Sequence, residues 1–244
     1  MADGRGMLAT APSGFGKSTL VGLLGTRLLA SFVSDDTVWI GARVARGFGA
    51  PFAVRPESPF YANASDLWYA RGNERLLVQP ADLGIAVAES CTVDVLLFPT
   101  FGDGPPVFET MLPVQAFARL VMSLLRPIND TDLTVLANLA ATCRAGAIRY
   151  PDSETCLELV TQVCALEPPE ISFAGLVGRD ELDGSGFLPS VGAMRFDDAV
   201  AVWNSVSGTV VCVDGWLRGA KLARGDAFDQ LCDLGYMSAA AAGL

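Results

Sequence analysis

Histidine is absent from the 244-residue chain. Its absence removes Ser-His-Asp and Cys-His nucleophile pairs, histidine zinc ligands and imidazole acid-base chemistry together. A general base here has to be a carboxylate, and a cationic stabiliser an arginine or a lysine. Lysine is nearly absent too: of 17 basic residues, only Lys17 and Lys221 are lysines. Against 27 acidic residues this leaves a net charge of −10, a surface that repels polyanions and disfavours general nucleic-acid binding. No run approaches the ~18 consecutive uncharged apolar residues of a membrane span. No basic segment followed by a long apolar stretch opens the chain, so the expectation is a cytoplasmic protein with no membrane partner. The six cysteines form no C-x-x-C pair and sit singly in apolar surroundings, which reads as buried free thiols rather than disulfides or a metal site.

What is present is concentrated near the start. Residues Ala11-Pro-Ser-Gly-Phe-Gly-Lys-Ser-Thr19 follow the apolar run Met7-Leu8-Ala9 and match G-x-x-x-x-G-K-[ST], with Ala11 in place of the first glycine. Gly14 and Gly16 allow backbone N–H groups to turn inward around phosphate oxygens, in conformations that a Cβ disfavours. Ser13 and Phe15 complete the loop. Lys17 can reach the β/γ-phosphates, Ser18 can offer its hydroxyl to Mg²⁺, and a helix opening at Ser18 or Thr19 points its positive end at the anion. A chain that otherwise uses arginine has put one of its two lysines at the lysine position of this loop. That favours a nucleotide site over a plain glycine turn.

The 51% hydrophobic content suits a compact globule. The pattern gives a helix over Leu20–Ala30, strand, loop and strand through Ser31–Ile40, and hairpins or irregular structure from Gly41 to Tyr61. Strands follow at Leu76–Gln79 and Val93–Phe98, the latter ending at Pro99, and then a loop at Phe101–Pro106. Helices are expected over Val114–Leu125, from a cap at Asp130 or Thr131 to about Cys143, and over Ser153–Leu166, with a strand at Ala145–Tyr150. This order is that of an α/β fold. Pro168-Pro169 is the candidate boundary, dividing a nucleotide-binding domain (1–167) from a small α+β C-terminal extension (168–244). In the extension, Arg179–Gly186 reads as a solvated loop, Asp197–Val206 as a helix, Thr209–Val213 as part of a hairpin and Ala227–Leu234 as a last helix, before a fraying tail.

The apolar strand Val93–Phe98 ends without an acid, and no N-K-x-D guanine motif occurs. Asp35 and Asp36 instead follow Lys17 by 18 and 19 positions, one helix and one short strand away. That spacing can return both carboxylates to the loop, one to Mg²⁺ and one to the proton of an attacking hydroxyl. With Ser13-Gly-Phe-Gly-Lys-Ser-Thr19 and Val33-Ser-Asp-Asp-Thr-Val38 together, the chain resembles the HPr kinase/phosphorylase-like kinases, whose nucleotide core is similar to that of phosphoenolpyruvate carboxykinase. The resemblance spans about the first two-thirds of the chain, with its sharp motifs between residues 11 and 36. It implies a P-loop core of that type, with Lys17 and Ser18 binding ATP and Mg²⁺ and Asp35 or Asp36 acting as base toward a hydroxyl. The family's histidine ahead of the loop and its downstream signature have no counterpart, so neither phosphorolysis nor recognition of HPr is expected. Arg55 falls where such kinases often carry a basic residue, with Arg43 and Arg46 as weaker candidates. Members of the similar family often form homo-oligomers.

Two functions follow as expectations. One is an ATP- and Mg²⁺-dependent kinase that phosphorylates a hydroxyl of a peptide or protein serine or of a small molecule. The other is a non-catalytic nucleotide-binding module that recognises a peptide or protein partner, for example by strand addition at a Thr209–Val213 hairpin. An ATP-hydrolysing motor ranks third, because no second acidic motif is evident.

Overall fold

In the computed structural model the chain runs β1 (Gly6–Ala9), α1 (Lys17–Leu28), β2 (Trp39–Gly41), β3 (Val44–Arg46), β4 (Phe52–Val54), β5 (Leu76–Val78), β6 (Ser90–Phe101) and β7 (Val107–Thr110). It continues through α2 (Pro113–Val121), α3 (Asp130–Thr142), β8 (Arg144–Tyr150), α4 (Ser153–Ala165), β9 (Phe173–Leu176), β10 (Val191–Phe196), β11 (Ala199–Asn204) and β12 (Thr209–Asp214). The structure describes residues 6–35, 37–48, 51–56, 58–61, 76–124, 129–170, 173–178, 180, 182, 187–197, 199–206 and 209–214. Two units emerge: Met1–Met111 with Cys143–Pro168, and Leu112–Thr142 with Pro169–Leu244. The chain leaves the first unit for the second time at Pro168, and the middle segment Leu112–Thr142 also lies in the second.

The first unit is mixed α/β. Its six-stranded sheet runs β2-β3-β6-β8-β7, with β1 pairing β6 as well. β1, β6 and β8 are parallel, whereas β7 and the β2–β3 hairpin are antiparallel to their neighbours. β6 is twelve residues long and buried from Val95 to Pro99, as befits a central strand covered on both faces. It runs past Pro99, where the sequence suggested an end. The pleat explains this: Leu97 O accepts from Thr10 N (2.9 Å) and Phe101 N donates to Phe15 O (3.3 Å), so Pro99, between them in the alternation, faces the side where β1 has already finished. Its missing N–H therefore costs no ladder bond to β8. On α1, Leu20, Leu23 and Leu24 at helical spacing enter a core with Phe52, Val54, Leu97, Ile148 and Val163. Each such side chain contributes about 2 kcal/mol by leaving water. Helix α4 packs against β8 and α1.

Two details of this unit differ from the sequence reading. The first strand expected within Ser31–Ile40 reduces to a single bridge, Phe32 to Val87. α1 begins at Lys17, directly after Gly16, rather than at Ser18 or Thr19.

The second unit contains a four-stranded antiparallel sheet, β12-β11-β10-β9, on which α2 and α3 pack. Phe117 of α2 meets Phe196 and Trp203 at centroid distances of 5.3 and 6.4 Å. α3 is capped by Asn129, whose Oδ1 accepts from Asp132 N at 2.9 Å, one residue before the expected cap. The helix expected over Asp197–Val206 is instead β11, entered from β10 by a turn at Asp197 with φ 37°. Val200 to Asn204 are all buried, so the run carries no polar alternation and its period could not separate a strand from a helix. Arg179, Glu181 and 183–186 of the expected solvated loop, and the expected helix Ala227–Leu234 with the tail after it, lie outside the described residues. No described helix is long and apolar enough to cross a membrane.

Candidate functional site

Between β1 and α1 the chain makes a turn that two glycines permit. Gly14 has φ 93° and Gly16 φ 88°, both in the region that favours glycine. Gly16 is the residue before the first turn of α1; it offers no capping side chain, and that turn holds no acid. The positive end of α1 is thus left for an acceptor from outside the helix. The turn lies at the C-terminal ends of parallel strands, where ligands of open α/β sheets bind.

The side chains at this turn are tied to it and to one another. Lys17 Nζ donates to the carbonyls of Ala11 (2.7 Å) and Pro12 (3.1 Å), spanning the loop with its ammonium. Ser18 Oγ donates to Asp35 Oδ2 at 2.9 Å, and the same oxygen accepts from Ala53 N at 3.3 Å. Asp35 reaches this position because Phe32 is pinned between Ala86 and Ala88 by two 2.7 Å backbone hydrogen bonds. A tight turn then follows, in which Thr37 N donates to Asp35 O and Ser34 Oγ to Thr37 O at 2.6 Å. Asp36 lies outside the described residues.

Arg55 follows β4, and its guanidinium stands over the loop: a Cβ on Gly14 would come within 3.1 Å of Nη2. The other two arginines are engaged elsewhere. Arg43 pairs with Asp94 at 2.5 Å and donates to Val93 O, while Arg46 lies over the Trp39 ring at 5.9 Å. Ser13, Gly14, Gly16, Lys17, Ser18, Thr19 and Arg55 all border one cleft of about 530 Å³, and Phe15 holds the loop through its carbonyl, which accepts from Phe101 N.

Another stretch of that cleft's lining was not read from the sequence. It comes from the ends of β6 and β8 and the start of α4: Phe101, Tyr150, Pro151, Asp152 and Ser153. Tyr150 Oη donates to Gly16 O at 3.3 Å, and burial pushes its pKa far above the usual phenol value, so it remains a donor. Cys156 behind it is raised to about 12 by burial, which makes its thiol unreactive. Asp152 caps α4: its carboxylate accepts from Thr155 N (2.8 Å) and Thr155 Oγ1 (2.9 Å), and these bonds lower its pKa. The sequence signal was there, in a strand ending at Tyr150 and a cap residue two positions later. What it lacked was any sign that this strand lies beside the one next to β1.

Serine hydroxyl and carboxylate oxygen are the hard donors that Mg²⁺ prefers, and Mg²⁺ commonly takes only one or two protein ligands besides water and phosphate. Ser18 and Asp35 fit that requirement as they stand. Among the described residues no cysteine is in a disulfide; Cys143 and Cys156 are buried as the sequence suggested, whereas Cys91 and Cys164 are half-buried and Cys212 is exposed. Comparison with family models, with curated proteins and with solved structures finds no match to this chain.

Proposed function

We propose that the first unit is a P-loop kinase core of the HPr kinase/phosphoenolpyruvate carboxykinase-like type, which uses ATP and Mg²⁺ to phosphorylate a hydroxyl of a peptide, a protein or a small molecule. The observation that carries this reading is the 2.9 Å hydrogen bond from Ser18 to Asp35, which brings an acid 17 residues away to the helix start beside Lys17. The backbone amides of the loop and the end of α1 hold the phosphates, and Lys17 exchanges its carbonyl partners for phosphate oxygens. Ser18 and Asp35 would hold Mg²⁺, which would supply positive charge beside the phosphates. Arg55, over Gly14, adds a second cation on the side facing the cleft. Asp35 or Asp36 takes the proton of the acceptor hydroxyl as its oxygen bonds to the γ-phosphorus. The bond from that phosphorus to the bridging oxygen breaks, and ADP leaves.

The test is a pair of variants assayed with ATP, Mg²⁺ and a panel of alcohols and serine peptides. Asp35→Asn and Asp36→Asn are both expected to bind ATP, and at least one to lose transfer. Undiminished turnover in both removes the carboxylate base. A second reading, a nucleotide-binding module that takes up a peptide by strand addition, is favoured by β12 standing at one end of the sheet in the second unit. ATP binding with no ADP formed across the panel would favour it.

A further inference from the structure

The cleft beside the glycine loop has more chemistry than phosphate binding uses. Its two described bases, Lys17 and Arg55, belong to the loop side. The one acid among its described lining residues, Asp152, comes from the start of α4, is exposed, and accepts from Thr155 N and Oγ1. A second phosphate or an anionic substrate would be repelled there. In the same cleft Phe101 is 50% exposed, although it is an aromatic residue at the end of a buried strand. Its ring is fixed from behind by Tyr150, at a centroid distance of 5.7 Å and an interplanar angle of 57°, and its N–H is bonded to Phe15 O. An exposed aromatic ring packed on Tyr150 and lining the same cleft as Asp152 and Ser153 suits a ligand with a flat ring and hydroxyl donors.

We infer that the Phe101–Ser153 wall is the nucleoside end of the site. Phe101 stacks on the nucleobase, and Asp152 accepts from ribose hydroxyls, while the phosphates run to Lys17 and Arg55. This rests on the proposed reading of the cleft as a nucleotide site, and adds to it which end takes the base and how the base is read. A ring face reads area rather than hydrogen-bonding edges, so purine nucleotides bind alike and better than pyrimidine nucleotides. That agrees with the absence of a guanine-reading N-K-x-D motif.

The experiment compares, by titration calorimetry on the full chain with Mg²⁺, the binding of ATP, GTP, CTP and inorganic tripolyphosphate. Wild type is expected to bind ATP and GTP within about threefold of each other, and tripolyphosphate about 10-fold more weakly, within the range of one base–aromatic stack. Phe101→Leu should remove most of that preference without altering tripolyphosphate binding, and Phe101→Tyr should restore it. Asp152→Asn, which still caps α4, should narrow the ATP preference by strengthening tripolyphosphate. Equal binding of ATP and tripolyphosphate by wild type overturns the nucleoside wall and leaves the phosphate site standing. So does an unchanged ATP affinity in Phe101→Leu, and so does an equal loss for both ligands, which would mean that the Phe101 side chain acts only by packing under the loop at Gly16. Failure to bind either ligand removes the nucleotide reading itself, and this inference with it.

Discussion

Gly16→Ala isolates what the loop demands of its backbone. The residue sits at φ 88°, where an L side chain costs about 1–2 kcal/mol. Its added Cβ would also lie 2.5 Å from Tyr150 Oη and 3.0 Å from Phe101 Cβ, inside contact distance, and Tyr150 is buried and cannot swing away. Overpacking of that kind costs about 1–3 kcal/mol, so the whole is about 3 kcal/mol. Two controls separate the contributions. Gly84 has φ 69° with nothing within 4 Å of a Cβ, so Gly84→Ala bears the backbone cost alone, about 1–2 kcal/mol. Gly102 is equally open and lies outside the left-handed region, so Gly102→Ala should be within about 1 kcal/mol of wild type and on the stabilising side. Urea unfolding at unchanged m is the assay. Tripolyphosphate binding is expected to fall in Gly16→Ala and persist in the two controls. A cost for Gly16→Ala no larger than that for Gly84→Ala would refute the packing of Tyr150 and Phe101 beneath the loop.

The Ser18–Asp35 contact predicts a coupling. In a double-mutant cycle of Ser18→Ala and Asp35→Asn, measured by urea unfolding without ligand, the interaction energy should be about 1–2 kcal/mol, and additivity within about 0.3 kcal/mol would dissolve the contact. Asp152 predicts an acid-sensitive difference. Its pKa is lower in the folded chain than the unfolded value of 3.8, so its contribution is complete above that value and fades as pH falls through the folded pKa. The stability gap between wild type and Asp152→Asn should therefore be flat near neutrality and shift against wild type below about pH 4; a gap independent of pH would contradict the cap. For the thiols, maleimide at pH 8 should label exposed Cys212 first among the described cysteines and leave Cys143 and Cys156 unreacted until the chain unfolds, as read by mass mapping; prompt labelling of Cys156 would contradict its burial.

What was legible in the sequence was what local chemistry dictates. Gly14 and Gly16 take backbone angles that favour glycine, Lys17 and Ser18 stand on the first turn of the helix those glycines admit, and Asp35 needs only one helix and one bridge to come back to Ser18. Each step spans fewer than two dozen residues and leaves a mark in residue type. The Phe101–Ser153 wall leaves no such mark. Tyr150 donates to the carbonyl of a glycine 134 positions earlier, and only the pairing of β6 with both β1 and β8 brings the two together. The same blindness turned β11 into a helix, since a strand buried on both faces loses the alternation that identifies it. Arg55 lies between these cases. The resemblance had put it ahead of Arg43 and Arg46 by position, and the structure gives Arg43 an aspartate, Arg46 a tryptophan ring and Arg55 the glycine of the loop. In this chain the loop half of the cleft, the proposed phosphate end, is therefore a property of short segments, and the Phe101–Ser153 half, the proposed nucleoside end, is a property of sheet order. Gly16 apart, a substitution series confined to residues 11–36 would test the first half and leave the second untouched.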